Sequence, residues 1–133
     1  IILDHFKHPR NYGAIPAEAV LVDEENPTCG DHIRMTATVE NGRISRVQFD
    51  GKGCAISMAS SSMMTEEVIG KPVEEARAMA ANIIGFLRGE KEAGERELGE
   101  LMALSGVKEY PLRVKCATLG WHALLKALDR LKA

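Results

Sequence analysis

The feature that most limits the fold is an alternating strand pattern followed by a tight turn. Apolar and polar residues alternate from Ile33 to Val39, so a strand there has one apolar face. The dipeptide Asn41-Gly42 comes next and is the strongest short-range signal for a two-residue hairpin turn. Residues 43–49 are therefore the expected returning strand, and their broken alternation predicts a bulge or burial on both faces. Such a hairpin requires an antiparallel sheet whose apolar face is covered by other elements.

A short strand is expected before the hairpin, and helices are expected after it. The earlier strand is the β-prone run 19–22, which leads to a turn at Asn26-Pro27. Helical spacing predicts helices at 54–68 and 73–87, a short helix at 98–104, a loop at 106–111, and a long terminal helix that starts near Cys116. This order predicts an α+β fold, with a three-stranded antiparallel sheet, helices packed on one face and a long C-terminal helix.

The length, charge and cysteine content of the chain limit the kind of protein it can be. A chain of 133 residues falls in the size range of one domain, so residues 1–133 are expected to form a single unit. The net charge of -2 gives no reason to expect nucleic acid or an anionic membrane as a partner. No secretory signal is visible, and three scattered cysteines are unlike a secreted disulfide framework. We therefore expect a cytoplasmic protein.

The three cysteines are all expected at the ends of secondary-structure elements. Cys29 lies in a turn between two strands, where Gly30 lets the side chains of Cys29 and Asp31 point at one ion. Cys54 lies where a strand ends and a helix begins, and the helix dipole favours a thiolate there. Cys116 is placed at the start of the last helix, so the same argument applies to it.

Two cations support the third cysteine, because Arg113 and Lys115 precede Cys116 and favour its thiolate form. If the three element ends converge, three sulfur atoms and one carboxylate oxygen would suit Zn²⁺ or the iron of a cluster. A buried cysteine also packs as a small hydrophobic residue, and the chain has no Cys-x-x-Cys pair. Spacing alone therefore leaves both a shared metal site and a packing role open.

Other polar side chains are expected to have structural roles. His5 and His8 lie in the N-terminal segment and are expected at the surface. His32 is an alternative ligand beside Asp31, but strand alternation places it on the opposite face. The remaining candidates are assigned to helix surface or close packing: His122, Ser60, Ser61, Ser62 and Trp121.

Three segments, in this order, resemble the IscU/NifU N-terminal family of iron–sulfur cluster assembly proteins, and within it the SufU type. They are Asn26-Pro27-Thr28-Cys29-Gly30-Asp31, Gly51-Lys52-Gly53-Cys54-Ala55-Ile56-Ser57 and Arg113-Val114-Lys115-Cys116-Ala117-Thr118-Leu119. Where the IscU branch has a histidine before the third cysteine, this chain has Lys115. It also carries extra residues between Gly94 and Glu109, as SufU-type proteins do.

The resemblance implies the same α+β fold and the convergence of Cys29, Asp31, Cys54 and Cys116 as metal ligands. It implies a protein that accepts sulfur from a cysteine desulfurase and delivers the sulfur or a cluster to apo iron–sulfur proteins or to a carrier. In an IscU-like version the ligands build a transient [2Fe–2S] cluster. In a SufU-like version they hold zinc, and the protein acts as a sulfurtransferase, so whether it is an enzyme stays open.

For a SufU-like protein, Cys29 is the expected sulfur acceptor, because a turn moves outward more easily than a helix start. Asp31 is then the harder and weaker ligand, which keeps the site open to exchange. The alternative is a structural zinc adaptor without sulfur transfer, with closed coordination and unfolding on chelation. A thiol-disulfide enzyme is disfavoured, since the chain lacks a Cys-x-x-Cys pair.

Overall fold

The computed structural model describes residues 2–27, 30–92 and 98–131, which form a short helix, an antiparallel sheet and then further helices. The strands are β1 (Val22–Asn26), β2 (Asp31–Glu40) and β3 (Arg43–Lys52), hydrogen-bonded in the order β1-β2-β3. The helices are α1 (Ile2–Lys7), α2 (Ala55–Val68), α3 (Val73–Leu87) and α4 (Pro111–Leu131). Two 3-10 segments complete the described chain, a turn at Ala17–Ala19 and a longer one at Gly99–Glu109, called the 3-10 helix below. The predicted α+β class is confirmed.

The hairpin forms where the sequence predicts it. Asn41 and Gly42 have φ values of 54° and 76°, the left-handed conformation that a tight hairpin turn of type I′ requires. The pairing of β2 with β3 then skips Ser45, which is the extra residue of a β-bulge. Because of the bulge, Ile44 and Val47 both face the core although they are three positions apart. The bulge expected from the broken alternation is therefore confirmed.

The position predicted for the first strand is wrong by several residues. Residues 17–19 form a 3-10 turn, and β1 begins only at Val22. Its sequence is mostly acidic and polar, yet it pairs with β2 from Val22 opposite Met35 to Asn26 opposite Asp31. An edge strand exposes one side to water, so pairing with β2 and burial of its two ends outweigh the low β-propensity of its middle residues.

The core lies between one face of the sheet and the helices. Alternate residues of β2 point inward, and α4 packs across β1 and β2 while α2 packs against α4. The largest fully buried side chains are Trp121, Phe49, Ile33, Met35, Ile44, Met63, Met64, Ile83, Leu87, Leu101, Leu104 and Leu124. None of the helices within the described ranges is long and apolar enough to cross a membrane.

The serine run of α2 makes a close helix contact, as expected. Ser60 Oγ donates a hydrogen bond to the Ala117 carbonyl oxygen of α4 at 2.6 Å. Gly120 faces the next serine so closely that a Cβ atom there would lie 2.2 Å from Ser61 Oγ. Small residues on both sides therefore let α2 and α4 approach, and this contact sets the position of one helix against the other.

The last helix begins earlier than the sequence pattern indicates. Residues up to Glu109, expected to form a loop, belong to the 3-10 helix, and α4 starts at Pro111. Proline is common at a first helical position because the missing N–H has no helical partner there. Cys116 therefore lies in the second turn of α4, where the field of the helix end has weakened. Its placement at a helix start was wrong.

The N-terminal segment also differs from expectation at one histidine. His8 is exposed as predicted, but His5 is only 1% exposed and lies against α2. Its Nδ1 atom is 2.7 Å from Ser62 Oγ. The surface position expected for His5 is wrong because α1 packs on α2, a contact that local sequence does not reveal.

A partly buried ion pair on the outer face of β2 and β3 also holds the loop that contains Ile15. Arg34 donates to both oxygens of the Asp50 carboxylate at 2.7 Å, and the Ile15 N–H donates to it at 2.9 Å. Burial alone would raise the pKa of Asp50, but the hydrogen bonds from Arg34 and Ile15 hold it below its usual value. The ionised carboxylate is therefore the form that stabilises the fold.

Replacement of Gly120 by alanine should separate α2 from α4. The new Cβ overlaps Ser61, so the free energy of unfolding should fall by about 1–3 kcal/mol in urea denaturation. Gly106→Ala is the matched control, because no described atom lies within 4 Å of a Cβ there, and it should change stability by less than about 0.5 kcal/mol. Equal stability of the two variants would contradict the close contact.

The Asp50→Asn variant tests the ion pair through pH. Because the folded-state pKa of Asp50 lies below the ordinary value of 3.8, its contribution is complete above that pH and is lost as pH falls through the folded pKa. The variant should be less stable by about 1–3 kcal/mol at neutral pH, and the difference should shrink in acid. Asp129→Asn removes a mostly exposed carboxylate beside Arg77 and should have a smaller effect at any pH.

Candidate metal centre

Three of the four predicted ligands meet at one end of the sheet. A carboxylate oxygen of Asp31 and the sulfur atoms of Cys54 and Cys116 all lie within 4.8 Å of one another. They come from the start of β2, the residue before α2 and the second turn of α4. Cys29, the fourth predicted ligand and the expected sulfur acceptor, lies outside the described residues.

Asp31 is the residue that joins the sheet to α2. As the first residue of β2 it points to the core side and is only 1% exposed. Its Oδ1 atom accepts hydrogen bonds from the Cys54 N–H at 2.9 Å and from Ser57 Oγ at 3.1 Å. The carboxylate thus fixes the first turn of α2 and, with it, the position of Cys54.

Cys54 is the N-cap of α2, and its sulfur does what an oxygen usually does at that position. The backbone is extended, with φ −71° and ψ 169°, and the sulfur accepts the Ser57 N–H at 3.5 Å. The preceding Gly53 leaves room for this turn, since a Cβ there would lie 2.1 Å from Ser57 Oγ and 2.9 Å from Asp31 Oδ1. Cys54 is half-buried, so the turn leaves part of it accessible.

Cys116 is completely buried and reaches the site through α4. Its thiol lies 3.6 Å from the Leu112 carbonyl oxygen, one turn earlier. The Asn26 side-chain amide lies 3.7 Å from the Cys116 sulfur and 3.5 Å from Asp31 Oδ2. Asn26 can therefore donate to two of the candidate ligands from the end of β1.

Sequence reasoning missed the roles of Asn26 and Ser57 around the ligands. The sequence pattern identifies Asn26 only as a turn residue, although it opens the segment that contains Cys29 and Asp31. Ser57 stands three residues after Cys54, the spacing at which a helix-capping residue meets a backbone N–H. The positions of Asn26 and Ser57 beside the ligand residues are the sequence signals that could have revealed their roles.

The other predicted candidates lie outside this cluster. Arg113 and Lys115 are exposed on α4, and Arg113 lines a cavity of about 530 Å³ together with Cys54 and Tyr110. His32 points away from Asp31, as strand alternation predicts, and pairs with Asp23. His122 is half-buried on α4, and burial followed by the charge of Arg88 lowers its pKa.

The donor set suits a thiophilic metal. In a tetrahedral zinc site, sulfur ligands at about 2.3 Å and oxygen at about 2.1 Å stand roughly 3.5–3.8 Å apart. The three ligand atoms lie within 4.8 Å of one another, so modest side-chain movements are enough to close them on one ion. Asn26 and Ser57 would then orient the ligands, as outer hydrogen-bond partners do in metal sites.

Ser57→Ala should weaken metal binding without removing a ligand. The variant deletes the hydroxyl that donates to Asp31, so zinc affinity should fall about 10–100-fold in competition with a chromogenic chelator. Ser61→Ala is the matched control, because Ser61 is buried on the same helix and its hydroxyl has no hydrogen-bond partner in the described structure. Equal affinity for both variants would contradict the orienting role.

Comparison with known proteins places this chain in a family. The model of the NifU-like N terminal domain matches residues 1–130. The Zinc-dependent sulfurtransferase SufU of Bacillus subtilis is 43% identical over 130 residues, which cover 98% of this chain and 88% of that protein. The Iron-sulfur cluster assembly scaffold protein IscU of Streptococcus pyogenes is 44% identical over 131 residues, which cover 98% of this chain and 81% of that protein.

A solved structure agrees with these sequence matches. A putative iron-sulfur cluster assembly scaffold protein for the SUF system from Fervidobacterium islandicum superposes with a TM-score of 0.87 at 38% identity. The match covers 96% of this chain and 93% of that structure. The resemblance inferred from the three cysteine segments is confirmed. The chain belongs to the NifU-like N-terminal domain family.

Proposed function

We propose that this protein is an iron–sulfur cluster assembly protein that accepts sulfur from a cysteine desulfurase. The observation that carries the proposal is the convergence of two thiols and one buried carboxylate within 4.8 Å, drawn from three separate elements. We place Cys29 in the same site as the fourth ligand. The protein acts as a single domain over residues 1–133, in a reducing cytoplasm where its thiols persist.

Zinc is the proposed resident metal, and Cys29, Asp31, Cys54 and Cys116 would hold it. When bound, zinc keeps coordinating thiols in the thiolate form and fixes their arrangement. Asp31 would be the harder oxygen ligand beside softer sulfur ligands, and so the one most readily exchanged. The names of the similar SufU and IscU proteins support zinc and a cluster respectively, and Lys115 favours the SufU-like version.

The sulfur-transfer step needs only a thiolate and a persulfide. The thiolate of this protein attacks the terminal sulfur of the desulfurase persulfide, a new S–S bond forms, and the donor cysteine leaves as a thiolate. No external oxidant or reductant is consumed. Cys29 is the proposed acceptor, and the exposed cations Arg113 and Lys115 would attract the anionic persulfide. The sulfane sulfur then passes by the same exchange to a thiol of a carrier or of an apo iron–sulfur protein. Its entry into a nascent [2Fe–2S] cluster as sulfide is a separate step, which takes two electrons from an external reductant.

A structural zinc adaptor is the second candidate, and one observation favours it. Asp31 and Cys116 are 1% and 0% exposed, as in a closed site. An adaptor of this kind would unfold when a chelator removes zinc and would accept no sulfur.

Incubation with a desulfurase and cysteine separates the two candidates. Mass spectrometry should find an added sulfur of about 32 Da on Cys29, and desulfurase turnover should rise. Cys29→Ser should abolish the adduct while the protein stays folded by circular dichroism. Absence of both the adduct and the stimulation would overturn sulfur transfer and leave the adaptor.

Asp31→Ala should slow release of the bound metal, because the ligand that exchanges most readily has been removed. The rate is measured by transfer of zinc to a chelator in excess. Asp23→Ala is the matched control, since Asp23 is an exposed acidic residue of β1 that faces away from the cluster. A release rate equal to that of the unaltered protein would exclude the exchange role of Asp31.

A further inference from the structure

A second group of candidate ligands lies at the opposite end of α2 from the cysteines. His5 of α1 is 1% exposed, and its Nε2 atom faces Glu66 Oε1 at 3.5 Å and Glu100 Oε2 at 3.9 Å. One ligand atom from each of these residues lies within 4.8 Å of the others. Glu66 follows Cys54 by twelve positions, a rise of about 18 Å along α2, so the two groups are separate.

The spacing in this group is unlike that of direct hydrogen bonds. An N–H to oxygen hydrogen bond is usually about 2.7–3.2 Å long, shorter than both distances from His5 Nε2. Two atoms bound to one metal ion at about 2.1 Å stand roughly 3.0–3.5 Å apart. The gap between the imidazole nitrogen and the carboxylates is therefore close to the size that a shared ion needs.

The other nitrogen of His5 is held by α2. Its Nδ1 atom is 2.7 Å from Ser62 Oγ, and the same oxygen accepts the Arg10 N–H at 2.8 Å. A ligating histidine commonly donates its second ring N–H to such an oxygen, which aims the lone pair of the first nitrogen at the metal. In that tautomer of His5 the buried Nε2 lone pair faces two carboxylates, and a cation between them would offset the repulsion.

The local charge also favours a cation. Glu66 and Glu100 face the imidazole, and Arg10 is the arginine that contacts this group. Arg10 donates to Asp4 at 2.7 Å and lies 3.9 Å from Glu66. Because Asp4 already pairs with this guanidinium, the two glutamates leave negative charge beside His5.

We propose that His5, Glu66 and Glu100 bind a divalent cation. One imidazole nitrogen and two carboxylate oxygens leave coordination positions for water and suit manganese or ferrous iron, whereas the cysteine centre suits softer metals. The ligands come from α1, α2 and the 3-10 helix, so the bound ion ties the N-terminal helix to the body of the protein. This site does not depend on the proposed sulfur transfer.

Manganese tests the site, because Mn²⁺ prefers oxygen and nitrogen ligands over thiolates. The whole protein is titrated with Mn²⁺, and the free ion is followed by its electron paramagnetic resonance signal. One bound Mn²⁺ is expected, together with a rise in the melting temperature. Glu66→Gln and Glu100→Gln replace exposed side chains, so both variants should fold, and each should weaken binding at least about tenfold.

Matched controls locate the ion. Glu67→Gln alters the next residue of α2, and Glu109→Gln alters the same 3-10 helix; both should bind Mn²⁺ like the unaltered protein. Cys54→Ser should also leave Mn²⁺ binding unchanged, since it alters only the other centre. The competing arrangement is the other tautomer of His5, which points an N–H at the two carboxylates and binds no ion. No Mn²⁺ binding up to about 1 mM, or equal binding by Glu66→Gln, Glu100→Gln and the controls, would overturn the proposal.

Discussion

The buried carboxylate of Asp31 is the group on which the arrangement of the cysteine centre depends. A charged oxygen pair at 1% exposure is costly unless hydrogen bonds compensate for the lost water. The Cys54 N–H and the Ser57 hydroxyl supply them, and the Asn26 amide lies 3.5 Å away. These groups belong to β1 and α2, so the need to satisfy one carboxylate joins the sheet to the helix and brings a thiol to its side.

The other thiol depends on how closely two helices approach. Cys116 reaches Asp31 because Gly120 and the serines of α2 allow α4 to pack tightly, with a Cβ at Gly120 only 2.2 Å from Ser61 Oγ. Larger residues at this contact would move the Cys116 sulfur away from Cys54. The site is thus set by packing among small residues that carry no metal chemistry themselves.

α2 carries a different kind of chemistry at each end. Its N-terminus presents a cysteine beside a carboxylate, a set suited to zinc or to a cluster. Near its C-terminus, Glu66 lies beside the imidazole of His5, a set suited to a harder cation. The spacing along one rigid helix keeps the two sets apart, so each proposed site would select its ion by ligand type.

The sequence by itself determined the local elements and the chemistry of the ligands. Alternation and Asn41-Gly42 predicted the hairpin and its bulge, and helical spacing predicted α3 over 73–87, because these signals lie between near neighbours. Only the tertiary structure decided what depends on distant pairing: the position of β1, the burial of His5 and the meeting of Asp31 with Cys116. Those outcomes follow from contacts across many residues of chain, where strand pairing and helix packing outweigh local propensity.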